Sequence, residues 1–97
     1  MKYEISTTKQ YEKDIKKLKS RGVDISQLTK YVIDLANDVK LPAECKDHPL
    51  IGNWKGYREF HVDGAGDWVM IYKKEKQVLK LILARTGSHR DVFKNKK

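Results

Sequence analysis

The sequence is poor in the residues that mark several classes of small protein. Its 97 residues contain one cysteine, so no disulfide can form within the chain, and a disulfide-rich secreted protein or a zinc finger is excluded. No apolar run approaches the roughly 18 residues that a membrane span needs, which excludes a membrane protein. The amino-terminal residues also lack the basic-then-apolar pattern of a signal peptide. The length predicts one domain over residues 1–97, and the single cysteine predicts a cytoplasmic location.

Positive charge is what the chain has in excess. Lys and Arg number 21 against 13 Asp and Glu, which gives a formal net charge of +8. Such a surplus on a small protein favours polyanionic partners, namely nucleic acid, an acidic protein or anionic lipid. A solvated lysine-rich surface would give the same composition. The charge therefore narrows the class of partner without identifying it.

The first forty residues show helical periodicity. After a short extended stretch at residues 2–6, apolar side chains recur at helical spacing over residues 11–18, and Gly22 supplies a stop. A second apolar stripe runs over residues 25–39, with Asp24 as its predicted N-cap. These two segments predict a basic helical hairpin whose apolar stripes pack on another element.

The periodicity changes after the second helical segment. Residues 41–53 contain both prolines and few periodic apolar positions, which predicts a long loop. Alternation then places Tyr57, Glu59 and His61 on one face of a strand, opposite the apolar row. Strands are predicted at residues 54–62, 67–74 and 77–85.

Two successive hairpins of this kind predict an antiparallel meander. The amino-terminal stretch is predicted to join the sheet as an edge strand, which gives the order β-α-α-β-β-β with a short carboxy-terminal segment. The expected fold class is α+β, with the helical hairpin packed on one face of a small antiparallel sheet. Residues 94–97 are predicted to be a frayed tail.

All three histidines fall in the second half of the chain. His48 lies in the predicted loop, His61 on a strand and His89 just after the last strand. Because a meander brings alternate strand ends together, three distant imidazoles can share one concave surface, and general acid–base catalysis is the commonest catalytic use of histidine. The alternative is three separate surface residues. The polar neighbours that could act with them are Asp47, Arg58, Glu59, Asp67, Arg85 and Ser88.

These residue types suit cleavage of RNA by its own 2′-hydroxyl. That reaction needs a base, an acid and cations for the phosphoryl oxygens, and it requires no metal. A zinc site is less favoured because the histidines match no close ligand spacing. Ser88 and His89 are sequence neighbours that would point opposite ways on an extended chain, and nothing marks Cys45 as an acidified thiol. Phe93 could stack on a base or anchor the tail.

Four motifs occur in one order along the chain. They are Asp47-His48-Pro49-Leu50, Gly52-Asn53-Trp54-Lys55-Gly56-Tyr57-Arg58-Glu59-Phe60-His61, Asp67-Trp68-Val69-Met70-Ile71-Tyr72, and Arg85-Thr86-Gly87-Ser88-His89 followed by Phe93. Together they resemble the motifs of YafQ-type toxins, a branch of the RelE/ParE superfamily of bacterial type II toxin–antitoxin systems. The resemblance covers essentially the whole chain and implies a RelE-like fold.

The resemblance also implies an activity and a set of partners. Such toxins are ribosome-dependent endoribonucleases that cut messenger RNA in the A site, next to 16S rRNA, with a preference for adenine-rich lysine codons in this branch. They use no metal or other cofactor and leave a 2′,3′-cyclic phosphate. The implied partner is an antitoxin of the DinJ or RelB kind, and operator DNA is contacted only through the toxin–antitoxin complex. No membrane is involved.

Site residues follow from the same resemblance. His48, His61, Asp67 and His89 match the catalytic set. The resemblance gives the general acid role to His89, the 2′-hydroxyl proton to His48 with Asp67, and orientation of the phosphate to His61. The residues assigned to substrate binding are Arg85 at the phosphate, Phe93 as the base-stacking aromatic, and Arg58, Glu59 and Lys55.

Two other functions stay open at this point. ParE-like members of the superfamily share the fold but lack the histidines and act on gyrase, so fold alone does not decide the function. A non-catalytic module that binds RNA or an antitoxin would also suit the basic surface.

Overall fold

A five-stranded sheet and three helices make up the part of the chain that the computed structural model describes, residues 1–64 and 66–93. In chain order the elements are β1 (Glu4–Thr7), α1 (Lys9–Ser20), α2 (Ser26–Ala36), β2 (His48–Pro49), β3 (Arg58–His61), β4 (Trp68–Glu75), β5 (Lys80–Ser88) and α3 (His89–Phe93), with 3₁₀ turns at Ala43–Cys45 and Gly52–Trp54. The predicted α+β class is confirmed. The tail predicted to fray, residues 94–97, lies outside the described residues.

The sheet has the strand order β1-β5-β4-β3-β2. Strands β3, β4 and β5 pair antiparallel as predicted, and β1 occupies an edge as predicted. Strand β2, which was not predicted, pairs antiparallel to β3 at the other edge. The expectation of a purely antiparallel sheet is wrong, because β1 pairs parallel to β5, with Ile5 opposite Leu81. Two helices and three strands separate β1 from β5 along the chain, so no tight turn imposes the antiparallel direction.

The two long helices begin and end close to the predicted positions. Thr8 caps α1, since its hydroxyl oxygen accepts a hydrogen bond from the Tyr11 N–H at 3.0 Å. The prediction of Asp24 as the cap of α2 is wrong: its carboxylate accepts from the Ser26 N–H at 2.9 Å, and Ile25 holds the N-cap position. Helix α2 also ends at Ala36, before the predicted residue 39. Among the described residues, no helix is long and apolar enough to cross a bilayer.

The sheet separates two apolar clusters. On the face toward the helices, Tyr31 of α2 packs edge-on against Phe60 of β3 at a ring distance of 5.7 Å. The opposite face carries a smaller cluster that includes Ile71 of β4 and Val92 of α3. Because β4 alternates, its neighbours Met70 and Ile71 contribute to different clusters. We call this second face of the sheet, opposite α1 and α2, the open face.

The carboxy-terminal half differs from prediction at the ends of its elements. The strands predicted at residues 67–74 and 77–85 are separated by a turn at residues 76–79, so β4 continues to Glu75. Strand β5 begins at Lys80 and runs on to Ser88, past the predicted residue 85. The predicted loop at residues 41–53 contains the two-residue strand β2. That short strand extends the sheet at the edge opposite β1 and carries His48.

Candidate active site

Three elements bring the histidines to the open face of the sheet. Glu59 and His61 lie two residues apart on β3 and therefore point to the same side, opposite Phe60. His48 on β2 is the cross-strand partner of Glu59. His89 is the first residue of α3 and follows β5 directly. The predicted convergence of the three histidines is confirmed.

Glu59 is the centre of this cluster. It is 2% exposed, although an alternating strand predicts a polar residue facing solvent. Its Oε1 lies 2.9 Å from His48 Nε2 in a hydrogen bond. Its Oε2 lies 3.2 Å from His89 Nε2, a contact without hydrogen-bond geometry that becomes an ion pair when His89 is protonated. The two imidazoles remain about half exposed, with side-chain exposures of 46% and 52%. One buried carboxylate thus holds two solvent-facing imidazoles.

His61 completes the cluster from β3. Its ring stacks on that of His89 with a centroid distance of 6.5 Å and an interplanar angle of 22°. Its Nδ1 is buried without a hydrogen-bond partner among the described residues. One ligand atom each from His48, Glu59 and His61 can be chosen so that all three lie within 4.8 Å of one another, a spacing that could hold a metal ion.

Asp67 contacts the backbone of His89. Its side-chain oxygen and its backbone carbonyl accept from the His89 backbone N–H, at 3.3 and 3.0 Å. The first N–H groups of a helix have no partner within the helix, so Asp67 satisfies one of them at the start of α3. The structure does not pair Asp67 with His48; the carboxylate beside that imidazole is Glu59.

The two predicted arginines are both held by acidic groups. Arg85 donates to the Asp14 carboxylate from Nε at 3.1 Å and from Nη2 at 3.0 Å, and its side chain is only 17% exposed. Arg58 donates from Nε to Asp47 at 3.1 Å. Lys55 follows the Gly52–Trp54 turn and is exposed. The nitrogen atoms of Arg85 thus point toward α1 and α3, and its assignment to a phosphate stays a prediction.

The aromatic rings of Phe93 and Trp54 lie beside His89. The Phe93 ring lies 4.9 Å from the His89 ring, and Trp54 packs edge-on against Phe93 at 6.4 Å. A cavity of about 570 Å³ opens here, lined by residues 50–54 together with His89 and Phe93. The sequence predicted no role for Trp54 and did not foresee its place next to the histidines. Its position between two glycines, Gly52 and Gly56, was the available signal for an exposed turn.

The fold and the site define a small basic α+β protein with acid–base groups on its open face, and comparison with known proteins gives its class. A family model described as "Bacterial toxin of type II toxin-antitoxin system, YafQ" matches residues 3–94. The mRNA interferase toxin YafQ of Escherichia coli strain K12 is 44% identical over 92 residues, 93% of this chain and 95% of the relative. The chain belongs to the YafQ family of bacterial toxins of type II toxin–antitoxin systems.

Solved structures support the same family. The E. coli DinJ–YafQ toxin–antitoxin complex contains a chain that matches with a TM-score of 0.83 and 40% identity, covering 96% of this chain and 99% of that one. A metal-bound toxin from Helicobacter pylori matches with a TM-score of 0.86 and 40% identity, covering 94% and 99%. The resemblance noted in the sequence is therefore confirmed.

Proposed function

We propose that this protein is an endoribonuclease that cleaves messenger RNA in the ribosomal A site by 2′-hydroxyl attack, without a metal cofactor. The observation that carries the proposal is the buried Glu59 carboxylate with an imidazole against each of its two oxygens. The E. coli relative that is 44% identical is named an mRNA interferase, which agrees with this chemistry. A gyrase-directed toxin needs no such cluster, and neither does a passive RNA-binding module.

His48 with Glu59 forms the proposed base. The 2′-hydroxyl gives its proton to His48, and its oxygen forms a bond to phosphorus. His48 Nδ1 lies 3.0 Å from the Pro49 carbonyl, and its Nε2 lies 2.9 Å from Glu59. A carbonyl and a carboxylate only accept hydrogen bonds, so both ring nitrogens of His48 face acceptors in this structure. In the proposal Nε2–H keeps its hydrogen bond to Glu59, and Nδ1 leaves the Pro49 carbonyl to receive the proton of the 2′-hydroxyl.

His89 is the proposed acid. As the bond between phosphorus and the 5′-oxygen breaks, His89 gives that oxygen a proton, which yields a 2′,3′-cyclic phosphate and a 5′-hydroxyl. The Glu59 contact and the neighbouring rings of His61 and Phe93 hold the His89 ring in place. His61 is assigned to the phosphoryl oxygens and Phe93 to stacking on a base beside the scissile bond.

Asp67 acts in this proposal through the backbone. By accepting from the His89 N–H it fixes the start of α3 and with it the direction of the acid. Arg85 acts similarly, because it links α1 to the Val92 carbonyl of α3 at 3.4 Å. Of Arg58 and Arg85, Arg58 keeps the more exposed side chain, at 41%, and with Lys55 it is proposed to meet RNA phosphates away from the scissile bond, because it lies on the sheet face opposite Glu59.

The test is cleavage by the purified protein on programmed, translating ribosomes. We expect cuts at the A-site codon with 2′,3′-cyclic phosphate ends, and none in the same messenger RNA without ribosomes. Phenanthroline binds transition metals and spares the Mg²⁺ that ribosomes need, so it should leave the rate unchanged. Intact messenger RNA together with stabilised gyrase–DNA breaks would instead support the gyrase-directed alternative. Cleavage on ribosomes also implies action in the cytoplasm.

The proposed protein partner is a DinJ-like antitoxin. The E. coli relative is found in a DinJ–YafQ complex, and the net charge of +8 on this chain favours an acidic binding segment. Operator DNA is proposed to be contacted only by that complex. Co-expression with the product of the neighbouring gene should restore growth and give a complex that co-purifies.

Charge reversal on α1 should weaken association with the ribosome. Lys13, Lys16 and Lys17 are exposed, and Lys13 and Lys17 line a cavity of about 610 Å³ that also reaches Asp67. If this surface meets ribosomal RNA, replacing all three by Glu should lower affinity at least about tenfold at low salt and less at high salt, because salt screens the charges. Sedimentation with ribosomes measures this.

A control reversal of equal charge tests whether position matters. It is placed on exposed lysines elsewhere, namely Lys40, Lys76 and Lys80. Equal losses for the two triple variants would assign the effect to net charge and not to α1.

Transition-metal binding is a second candidate function of the cluster. The ligand atoms of His48, Glu59 and His61 lie within 4.8 Å of one another, and an H. pylori relative is a metal-bound toxin. A bound Zn²⁺ or Cu²⁺ would occupy the imidazole lone pairs that the reaction needs, so we expect it to inhibit cleavage. Calorimetric titration of Zn²⁺ into wild type and into His61→Ala tests the site; equal affinities would contradict it.

A further inference from the structure

We propose that Asp47, held by Tyr72 and Arg58, is the positioning residue that places His48 against Glu59. This inference rests on the proposed function, since it concerns the proposed base of the cleavage reaction. It assigns a positioning role to Asp47, Tyr72 and Arg58, which lie on the helix side of the sheet and do not touch the reacting groups.

His48 needs support from outside its own strand. Strand β2 has two residues, lies at the edge of the sheet, and pairs only with Arg58 and Glu59. The residue before Asp47 is Lys46, whose φ of +51° lies in the left-handed region, so the chain turns sharply just before the strand. Short edge strands that follow a turn are held weakly by their own ladder.

Asp47 receives hydrogen bonds from two neighbouring strands. The buried Tyr72 hydroxyl of β4 lies 2.8 Å from both carboxylate oxygens. Arg58 of β3 donates from Nε to Oδ1 at 3.1 Å and from Nη2 to the Asp47 backbone carbonyl at 3.4 Å. Both the side chain and the main chain of Asp47 are therefore fixed to the sheet.

Fixing Asp47 fixes His48 because adjacent side chains on an extended chain point to opposite faces. Asp47 points toward Tyr72 on the helix side, and His48 points toward Glu59 on the open side. Burial raises the pKa of Tyr72, and the hydrogen bond from its hydroxyl to Asp47 raises it further, so the hydroxyl remains a donor. The Tyr72 ring itself packs against Phe60 at a centroid distance of 5.9 Å. This contact anchors the group of Asp47, Tyr72 and Arg58, which we call the Asp47 clamp, to the core.

The variant Tyr72→Phe removes the hydroxyl and keeps the ring. We expect kcat for cleavage on ribosomes to fall about ten- to a hundredfold with KM unchanged, because a base displaced by about 1 Å costs rate and not binding. Asp47→Ala should reduce kcat at least as much. Tyr31→Phe is the matched control, since Tyr31 is also buried and also packs against Phe60, at 5.7 Å.

Imidazole ¹⁵N NMR gives a readout that does not depend on cleavage. In the wild type, the His48 Nε2 signal should report its hydrogen bond to Glu59, and Tyr72→Phe should abolish that signature while Tyr31→Phe keeps it. Wild-type kcat and an unchanged His48 signal in Tyr72→Phe would overturn the inference, as would equal losses in the two tyrosine variants. Absence of cleavage by the wild type would instead reject the proposed function. The NMR comparison would still decide whether the Asp47 clamp positions His48 against Glu59.

Discussion

Replacement of His89 by alanine is expected to lower the cleavage rate by about 10²–10⁴-fold and to abolish growth arrest, because a positioned general acid contributes rate enhancement of that order. The fold should be retained. The His89 side chain is half exposed, and the α3 residues that pack into the smaller apolar cluster are Val92 and Phe93. Binding to the antitoxin should also persist. Cleavage kinetics on ribosomes and co-purification with the antitoxin measure the two outcomes.

The control for this variant is Arg90→Ala. Arg90 follows His89 on the same short helix and is exposed, so its loss tests whether any change on α3 reduces activity. Arrest of growth by the His89 variant at wild-type strength and equal expression would remove His89 from the acid role. The remaining cluster of His48, Glu59 and His61 would then have to supply the proton.

The variant Asp14→Asn is expected to cause the largest loss of stability. Asp14 is 7% exposed, and its carboxylate accepts from Arg85, from Gln10 and from the Thr86 backbone N–H at 3.1 Å. Removing one charge of a buried pair leaves the other uncompensated and costs about 3–5 kcal/mol of unfolding free energy. For a domain of this size that lowers the melting temperature by at least about 10 °C. Urea and thermal unfolding measure the effect.

Asp38→Asn provides the comparison at the surface. Asp38 forms exposed ion pairs with Lys74 at 2.9 Å and Lys2 at 3.0 Å, and these lysines lower its pKa to about 2. Such pairs are screened by solvent, so the unfolding midpoint of Asp38→Asn should stay near that of wild type at neutral pH. Equal loss of unfolding free energy in the two variants would mean that the burial of Asp14 does not explain its contribution to stability.

Asp14 also connects stability to the site. Arg85 joins Asp14 of α1 to the Val92 carbonyl of α3, and α3 begins with His89. A partly unfolded Asp14 variant should therefore lose activity in parallel with its folded fraction. This differs from His89→Ala, where activity is lost with the fold intact.

Much of the candidate site could be predicted from the sequence. The three histidines and their convergence followed from residue type and from the meander. Alternation along β3 correctly placed Glu59 and His61 on one face, opposite Phe60. The role of Glu59 could not be foreseen in the same way. Alternation says which face a side chain is on, and it does not say whether β2 and α3 will cover that face.

The contacts that were not foreseen join residues that lie far apart in the chain. The resemblance assigned Asp67 to the same proton as His48. In the structure the Asp67 carboxylate accepts a hydrogen bond from the His89 backbone N–H at the start of α3. The resemblance also assigned Arg85 to a phosphate. In the structure the Arg85 guanidinium donates to Asp14, which lies 71 residues away in sequence. A charge that packing removes from water must be paired with an opposite charge. Spacing along the chain does not encode which partner the fold will bring to it.

The sequence by itself determined the elements, the face that each strand residue occupies, the positive charge and the family motifs, because helical and strand periodicity are local properties. The tertiary structure alone decided which carboxylate meets which imidazole or guanidinium. It did so because the parallel docking of β1, the edge strand β2 and the helix α3 set the distances and the burial on which hydrogen bonds and ion pairs depend.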